Sequence, residues 1–316
     1  MTTPPPVHHT GTVGLLGRPN AGKSTLLNRL LGGKLAIVSD KPQTTRHRIA
    51  GVLTEDGLQA VLVDTPGLHE AWTELNKEMV GRARAVLSEV DLVCWVVDAT
   101  ALLARADRGE DPLDAHDDAV RAEVTARGVP LLLVLNKVDR MAPPKLLPLI
   151  DALRARIPFT AAVPLSARTG DGVRGLVDEF RRHLPAGPRL YDPESWAQVS
   201  ERFLAAELVR EKCFEQLSAE LPYAIAVRIA EFDESGRDDE GIVRIFADVI
   251  VERDSQKGIV IGKGGARLKA IGSAARKELE TLLGCRVYLE LKVKVERDWT
   301  KTSQGLRRAG YEGEER

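Results

Sequence analysis

Gly17, Arg18, Pro19, Asn20, Ala21, Gly22, Lys23 and Ser24 limit the fold more tightly than any other stretch. The apolar run before them, with Val13, Leu15 and Leu16, predicts a buried strand. The Leu-rich run after them, Thr25 to Leu31, predicts a helix. Strand, glycine turn and helix in that order make G-x-x-x-x-G-K-[ST] a phosphate site. The glycines bring backbone N–H groups close to oxygen, and the helix N-terminus adds free donors and a positive dipole end. Lys23 then reaches the β- and γ-phosphates, and Ser24 offers its hydroxyl to Mg²⁺.

At 316 residues the chain has room for about two domains. Its formal net charge of −1 excludes a global basic field, so any nucleic-acid site must be local. Cys94, Cys213 and Cys285 share no metal or redox spacing and read as reduced core filler in a cytoplasmic protein. No apolar run approaches the ~18 residues of a membrane helix. Residues 1–10, with Pro4-Pro5-Pro6, lack the regions of a signal peptide and are expected to form a disordered tail.

Residues 11–184 alternate strands with helices, the pattern of a doubly wound, mostly parallel α/β sheet. Strands are expected near 49–54, 58–63, 91–98, 131–135 and 161–165, with helices over 73–90, 114–127, 143–156 and 173–183. Glu55-Asp56-Gly57 reads as a hairpin turn, and 38–48 as a loop. Ligands of such sheets bind beyond the carboxyl ends of the strands, and every motif lies at such an end. Asp64, Thr65, Pro66 and Gly67 end one strand; the Asp64 carboxylate can hold Mg²⁺ through water, and the Gly67 N–H is free for a γ-phosphate. Asn136, Lys137, Val138 and Asp139 decide the base. Guanine presents two donors on one edge, which a single carboxylate, Asp139, accepts; adenine would leave it unpaired. Asn136 is expected to tie this loop to the phosphate loop, and the Lys137 stem to lie along the base. Ser166, Ala167 and Arg168 can offer a backbone N–H to the guanine carbonyl.

This ordered set resembles the small GTPase domain of the translation-factor-related class. The tract Lys41 to Arg48, with Gln43-Thr44-Thr45-Arg46-His47, is similar to the Era family of bacterial ribosome-assembly GTPases. The resemblance implies that this loop is switch I and that one Thr completes the Mg²⁺ shell. Analogy favours Thr45 over Thr44; the residues alone leave both open. Lys23, Thr45, Gly67 and Asn20 would then form the catalytic set, with Ser24, Thr45 and Asp64 around Mg²⁺. Leu68 stands where Ras-like enzymes place a water-orienting Gln, so intrinsic hydrolysis should be slow. Asn20 either helps bind K⁺ near the phosphates or only stabilises its loop. His69 reads as a surface residue of the switch rather than a base.

Residues 185–198, with three prolines, read as a linker of moderate stiffness. Residues 199–300 follow an α-β-β-α-α-β order, an α+β domain with one sheet and helices on one face. The alternation 287, 289, 291, 293, 295 is expected to face inward. At its centre, Gly262, Lys263, Gly264 and Gly265 fit G-x-x-G between two short helices. From Ser255 to Lys277 there are six basic residues, among them Lys257, Lys263, Arg267 and Lys269, and no acidic one. They surround an apolar groove expected from Ile259, Ile261, Leu268 and Ile271. The segment resembles a type II KH domain, which clamps about four single-stranded nucleotides. Trp299 and Tyr311 could stack on a base, but closing the core or docking the tail, residues 301–316, is the preferred role.

The resemblance implies a monomeric GTPase that binds GTP or GDP and small-subunit ribosomal RNA near its 3′ end. It would act as a nucleotide-controlled switch in small-subunit assembly, in the cytoplasm or peripherally on the inner membrane face. The rival is a GTP-regulated scaffold whose second domain binds protein or membrane.

Overall fold

The structure, a computed structural model, describes residues 8–39, 41, 45–65, 75, 79, 81, 85, 88–125, 128–197, 199–217 and 221–311. The chain divides into two compact units: Met1–Glu70 with Met79–Gln198, and Ala71–Glu78 with Val199–Arg316.

The first unit is built on a six-stranded sheet. Its strands are β1 (His9–Leu16), β2 (Ile49–Glu55), β3 (Leu58–Asp64), β4 (Leu92–Asp98), β5 (Leu131–Asn136) and β6 (Ala161–Pro164). Their order is β2-β3-β1-β4-β5-β6. Only the β2–β3 pair is antiparallel. All of β3 and β5 is buried, as apolar strands covered on both faces must be. The helices described in full are α1 (Lys23–Leu31), α2 (Ala99–Asp107), α3 (Ala115–Thr125), α4 (Leu146–Arg154) and α5 (Val173–His183); the helix expected over 73–90 lies mostly outside the described residues. Parallel strands joined by helical crossovers end on one edge, so loops distant in sequence meet there.

Several expectations need correction. Helix α2 has no counterpart in the sequence reading, because it buries only Ala99 and Leu102 and so shows almost no periodic stripe. In the hairpin Glu55 pairs with Leu58, leaving Asp56-Gly57 as the turn, with Gly57 at φ 68°. His9 and Thr10 belong to β1, not to a tail. His9 pairs with Leu58, its Nδ1 lies 2.8 Å from the Leu184 carbonyl, and the Thr10 N–H donates to Pro185. The proline-rich connector is also docked. The buried Gln59 side chain accepts from the N–H groups of Leu190 and Tyr191 and donates to the Tyr191 carbonyl. The Val52 N–H then donates to the Trp196 carbonyl. Prolines lack the donors of a regular strand, so a side chain supplies the pairing.

The second unit has α6 (Glu201–Gln216), β7 (Ala226–Asp233), β8 (Ile242–Val251), α7 (Asp254–Ile261), α8 (Ala266–Leu283), β9 (Arg286–Val295) and α9 (Ser303–Arg308). The sheet order is β7-β8-β9, antiparallel then parallel. Val209, Cys213, Val249, Val251, Val260, Ile271 and Ala275 form one core between helices and sheet. On the other face Asp248 holds both Arg228, at 3.0 Å, and Lys294, at 2.9 Å. Burial pushes its carboxyl up, but those two cations outweigh burial and hold it below the usual carboxylate value.

The described part of the presumed C-terminal tail is packed: Leu306 and Tyr311 are buried. The Tyr311 ring stacks on Trp299 with centroids 5.5 Å apart and planes 7° from parallel. Trp299 Nε1–H donates to the Ala224 carbonyl at 3.1 Å. An indole that is fully buried and hydrogen-bonded serves the core. Among the described residues no helix is long and apolar enough to cross a membrane.

Candidate functional site

Between β1 and α1 the backbone makes the turn the glycines predict. Gly17 has φ 140°, and a Cβ there would lie 2.1 Å from the Val96 carbonyl oxygen. Gly22 has φ 97°, and a Cβ there would lie 2.2 Å from Asn136 Nδ2. Neither position admits another residue without moving neighbouring strands or loops. Asn20 also sits in the left-handed region, at φ 62°, and the first turn of α1 carries no acidic residue. The Lys23 ammonium bends back over the loop and donates to the Gly17 and Arg18 carbonyls at 2.9 and 3.0 Å. Arg18 leaves the loop on its other side, forking onto Asp114 at 2.7 and 2.6 Å and approaching the buried Asp117 at 3.4 Å. The ion pair anchors the loop to the start of α3.

Ser24, Thr45 and Asp64 converge beside the loop. The Ser24 hydroxyl donates to Asp64 Oδ2 at 2.6 Å and lies 2.9 Å from Thr45 Oγ1; Thr45 Oγ1 is 3.3 Å from the same carboxylate oxygen. Asp64 Oδ1 is buried with no hydrogen-bond partner among the described residues. Two hydroxyls and a carboxylate with an orphaned oxygen form a hard, all-oxygen donor set, which suits Mg²⁺. Burial pushes the Asp64 carboxyl up, against the pull of Lys23; burial pushes the Lys23 ammonium down, against the pull of Asp64. Thr65 turns away, its hydroxyl donating to the Leu15 carbonyl at 3.0 Å. Pro66, Gly67, Leu68, His69 and Thr44 lie outside the described residues.

Asn136 does join the loops. Its Nδ2 donates to the Ala21 carbonyl at 2.8 Å, and its Oδ1 accepts from the Lys137 and Ala167 N–H groups at 2.8 and 2.9 Å. The Ala167 N–H is thus directed at Asn136. Arg29, from the last turn of α1, donates to the carbonyls of Ala167 and Arg168. Lys137 stands at φ 68°, with its ammonium 2.7 Å from Asp98 Oδ2. Val138 starts a short 3₁₀ turn that presents Asp139. The Ser166 hydroxyl and the Arg168 guanidinium, the latter at 2.6 Å, hold the Asp139 carboxyl below its usual value. A cleft of about 470 Å³ runs from Asn20 and Gly22 past Lys137 to Asp139 and Ala167. Its size suits a small organic ligand. Asp98, Asp114, Asp117 and Arg29 were not singled out from sequence; only contacts across the fold give them a role.

In the second unit α7 ends at Gly262, with φ 72°, and Gly264 and Gly265 follow at 59° and 80°. Lys263, Arg267 and Lys269 are exposed and Lys257 is half-buried. Arg267 donates to the Ile259 carbonyl at 2.7 Å, closing the turn on itself. The groove beside this turn, about 360 Å³, is lined by Gly265, Leu268, Lys269, Gly272, Leu289 and Leu291. This corrects two expectations. Ile271 is wholly buried in the core beneath the groove, whereas Ile259 is 49% exposed. Leu289 and Leu291 only partly join the core and supply the groove's second wall. Their alternation was visible in the sequence; that the edge strand β9 stops short of full burial was not. Ile261 is half-buried against the core.

The model for 50S ribosome-binding GTPases matches residues 12–137, and the KH-domain model matches residues 220–300. GTPase Era of Geobacter metallireducens is 49% identical over 302 residues, 96% of this chain and 97% of that one. GTPase Era of Geotalea uraniireducens is 46% identical over 303 residues, 96% and 98% of the two chains. A crystal structure of an Aquifex aeolicus Era variant bound to GDP·AlF4⁻ matches with a TM-score of 0.89 and 39% identity, covering 96% of this chain and 99% of that one. A crystal structure of Era in complex with MgGDPNP and nucleotides 1506–1542 of 16S ribosomal RNA also matches with a TM-score of 0.89, at 38% identity and the same coverage.

Replacing Asn136 with Ala leaves three backbone groups without their side-chain partner in a buried site. Urea denaturation of Asn136→Ala is expected to show a loss of about 3 kcal/mol; a loss below ~1 kcal/mol would contradict the linking role.

Proposed function

Because the chain belongs to the Era family of GTPases, we propose that it holds GTP or GDP in the cleft of the first unit and ribosomal RNA in the groove of the second. The observation that carries the nucleotide reading is a pair of adjoining hollows that share Asn20, Gly22, Thr25, Val38 and Ser39, one lined by Lys23 and the other by Asp139, with Asn136 bonding the two loops together.

The backbone N–H groups of residues 17–24 and the start of α1 receive the phosphates, and Lys23 turns from the Gly17 and Arg18 carbonyls onto the β- and γ-oxygens. Ser24 and Thr45 would hold Mg²⁺ directly and Asp64 through water; when bound, the ion would supply counter-charge to the phosphates. The Asp139 carboxylate accepts both donors of guanine, Lys137 lines the ring face, and the Arg168 backbone offers the next N–H beyond Ala167. Gly67 completes the γ-phosphate contacts. Leu68 has no group to orient water, so this chain's own residues give slow hydrolysis. Asn20 would hold K⁺ beside the phosphates, supplying charge as an arginine finger does.

The second unit receives an RNA strand along its glycine turn. Gly262, Lys263, Gly264 and Gly265 let the sugar-phosphate backbone approach, Lys257, Arg267 and Lys269 supply positive charge, and Ile261, Leu268, Leu289 and Leu291 form an apolar floor for bases. The Era structure holding nucleotides 1506–1542 of 16S ribosomal RNA supports a target at the 3′ end of small-subunit RNA. GTP and GDP would set the affinity for that RNA, within the limit of their own affinity difference for the two states.

Calorimetry should find GDP bound about 10⁴-fold more tightly than ADP; comparable affinities would remove the role of Asp139. GTP hydrolysis should run faster in K⁺ than in Na⁺, and equal rates would return Asn20 to a structural part. Lys263→Asp should weaken binding of single-stranded RNA by about tenfold or more, that is about 1.4 kcal/mol. Unchanged RNA binding in Lys263→Asp would favour a scaffold that docks another macromolecule.

A further inference from the structure

We infer that Asp98 is a positioning residue for the base end of the cleft, drawing the Lys137 side chain into place as a wall for the purine ring. The inference rests on the reading of that cleft as a guanine-nucleotide site. Asp98 is the last residue of β4 and pairs in register with Asn136, the last residue of β5. Neighbouring strands lie about 4.8 Å apart, so the residue after Asn136 can reach back to Asp98 without distorting the sheet. Lys137 does so: its ammonium is 2.7 Å from Asp98 Oδ2. It does so from a left-handed backbone, φ 68°, which a residue bearing a Cβ adopts only when its surroundings compensate the strain.

The other oxygen of the same carboxylate fixes its direction. Asp98 Oδ1 accepts from the Thr100 N–H at 3.0 Å, the Thr100 hydroxyl at 2.6 Å and the Ala101 N–H at 3.3 Å, capping α2. With Oδ1 committed to the helix, Oδ2 faces the Lys137 loop. One carboxylate thus couples the start of α2 to the loop that carries Asp139. Burial pushes the Asp98 carboxyl up, but the bonds from Lys137 and Thr100 outweigh it and hold the group below the usual carboxylate value. Both side chains are about one-quarter exposed, at 26% and 24%, so the pair contributes modestly and the expected effect is a tuning of affinity.

Asp98→Asn separates positioning from capping. The amide oxygen still caps α2, while the amide nitrogen cannot accept from Lys137. In the full-length chain the dissociation constants of GDP and IDP should both rise by about 3–10-fold. They should rise together, because inosine lacks only the exocyclic amine and both bases share the ring face that Lys137 covers. In a Lys137→Met background, which keeps the apolar stem, Asp98→Asn should add nothing. Wild-type affinity in Asp98→Asn, or an undiminished loss on top of Lys137→Met, would overturn the inference and leave Asp98 as a helix cap. Should Asp98→Asn fail to fold, Asp98→Thr gives the same readout, since Thr caps helices but is too short to reach Lys137. Wild-type preference for GDP over ADP, measured in the same series, tests the underlying reading separately.

Discussion

The carboxamide of Asn136 fixes the geometry on which the first unit depends. It is 2% exposed and uses both of its ends on backbone groups from three loops, those of residues 17–22, 136–140 and 165–169. In a buried site such bonds are stronger than in water and an unmade one costs more. The same side chain explains a glycine more than a hundred residues away. Asn136 Nδ2 occupies the space a Cβ at position 22 would need, so the approach of the two loops and the shape of the phosphate turn are one constraint.

That constraint is met because of the sheet's register. Leu15 pairs with Asp64, Asp98 with Asn136, and Leu135 with Pro164. β1 stops early, with β3 beside it: its last residue Leu16 pairs with Trp95, three residues before the end of β4, which leaves room beyond it for the phosphate turn, while β4, β5 and β6 run on to the same edge. Phosphate turn, carboxylate, base loop and the Ser166 loop then lie within side-chain reach of each other. The antiparallel β2 brings the chain back from this edge, which is why Thr45, four residues before it, stands against Ser24 and Asp64.

The features whose cause is local are legible in the sequence. A glycine at positive φ, a carboxylate at a strand end and an apolar run covered on both faces leave marks within a few residues. Helix α5 has the bounds its sequence predicts, 173–183, because Leu176, Val177 and Phe180 form a plain buried stripe. What escaped depends on distant partners. Arg18 anchors to Asp114 and Asp117 across about a hundred residues, and no spacing rule announces that. Helix α2 owes its start to Asp98 and packs few residues. The connector looked free because prolines deny it a strand's pattern, yet Gln59, itself unremarkable in sequence, holds it. Leu289 and Leu291 alternate as core residues do, but they line the groove where Gly272 faces Leu291 without a side chain, while Val287 and Val293 of the same strand are buried.

The two units meet their ligand chemistry in opposite ways. In the first, Lys23 and Asp64 are buried together, and burial works against the charge on each. Phosphate brought to Lys23 and a cation brought to Asp64 would each supply the counter-charge that the interior withholds, so binding relieves a cost already built into the fold. Such a site gains by being rigid, and Asn136, Arg18 and Arg29 make it so. In the second unit Lys263 and Lys269 stand exposed. Any attraction they exert on a phosphate chain would come through release of its counterions, which weakens steeply with salt, and the shape of the turn comes from three glycines at positive φ, 262, 264 and 265. A buried, over-determined cleft suits a single small ligand held in one pose, whereas a shallow charged groove suits a strand that must be taken up and released.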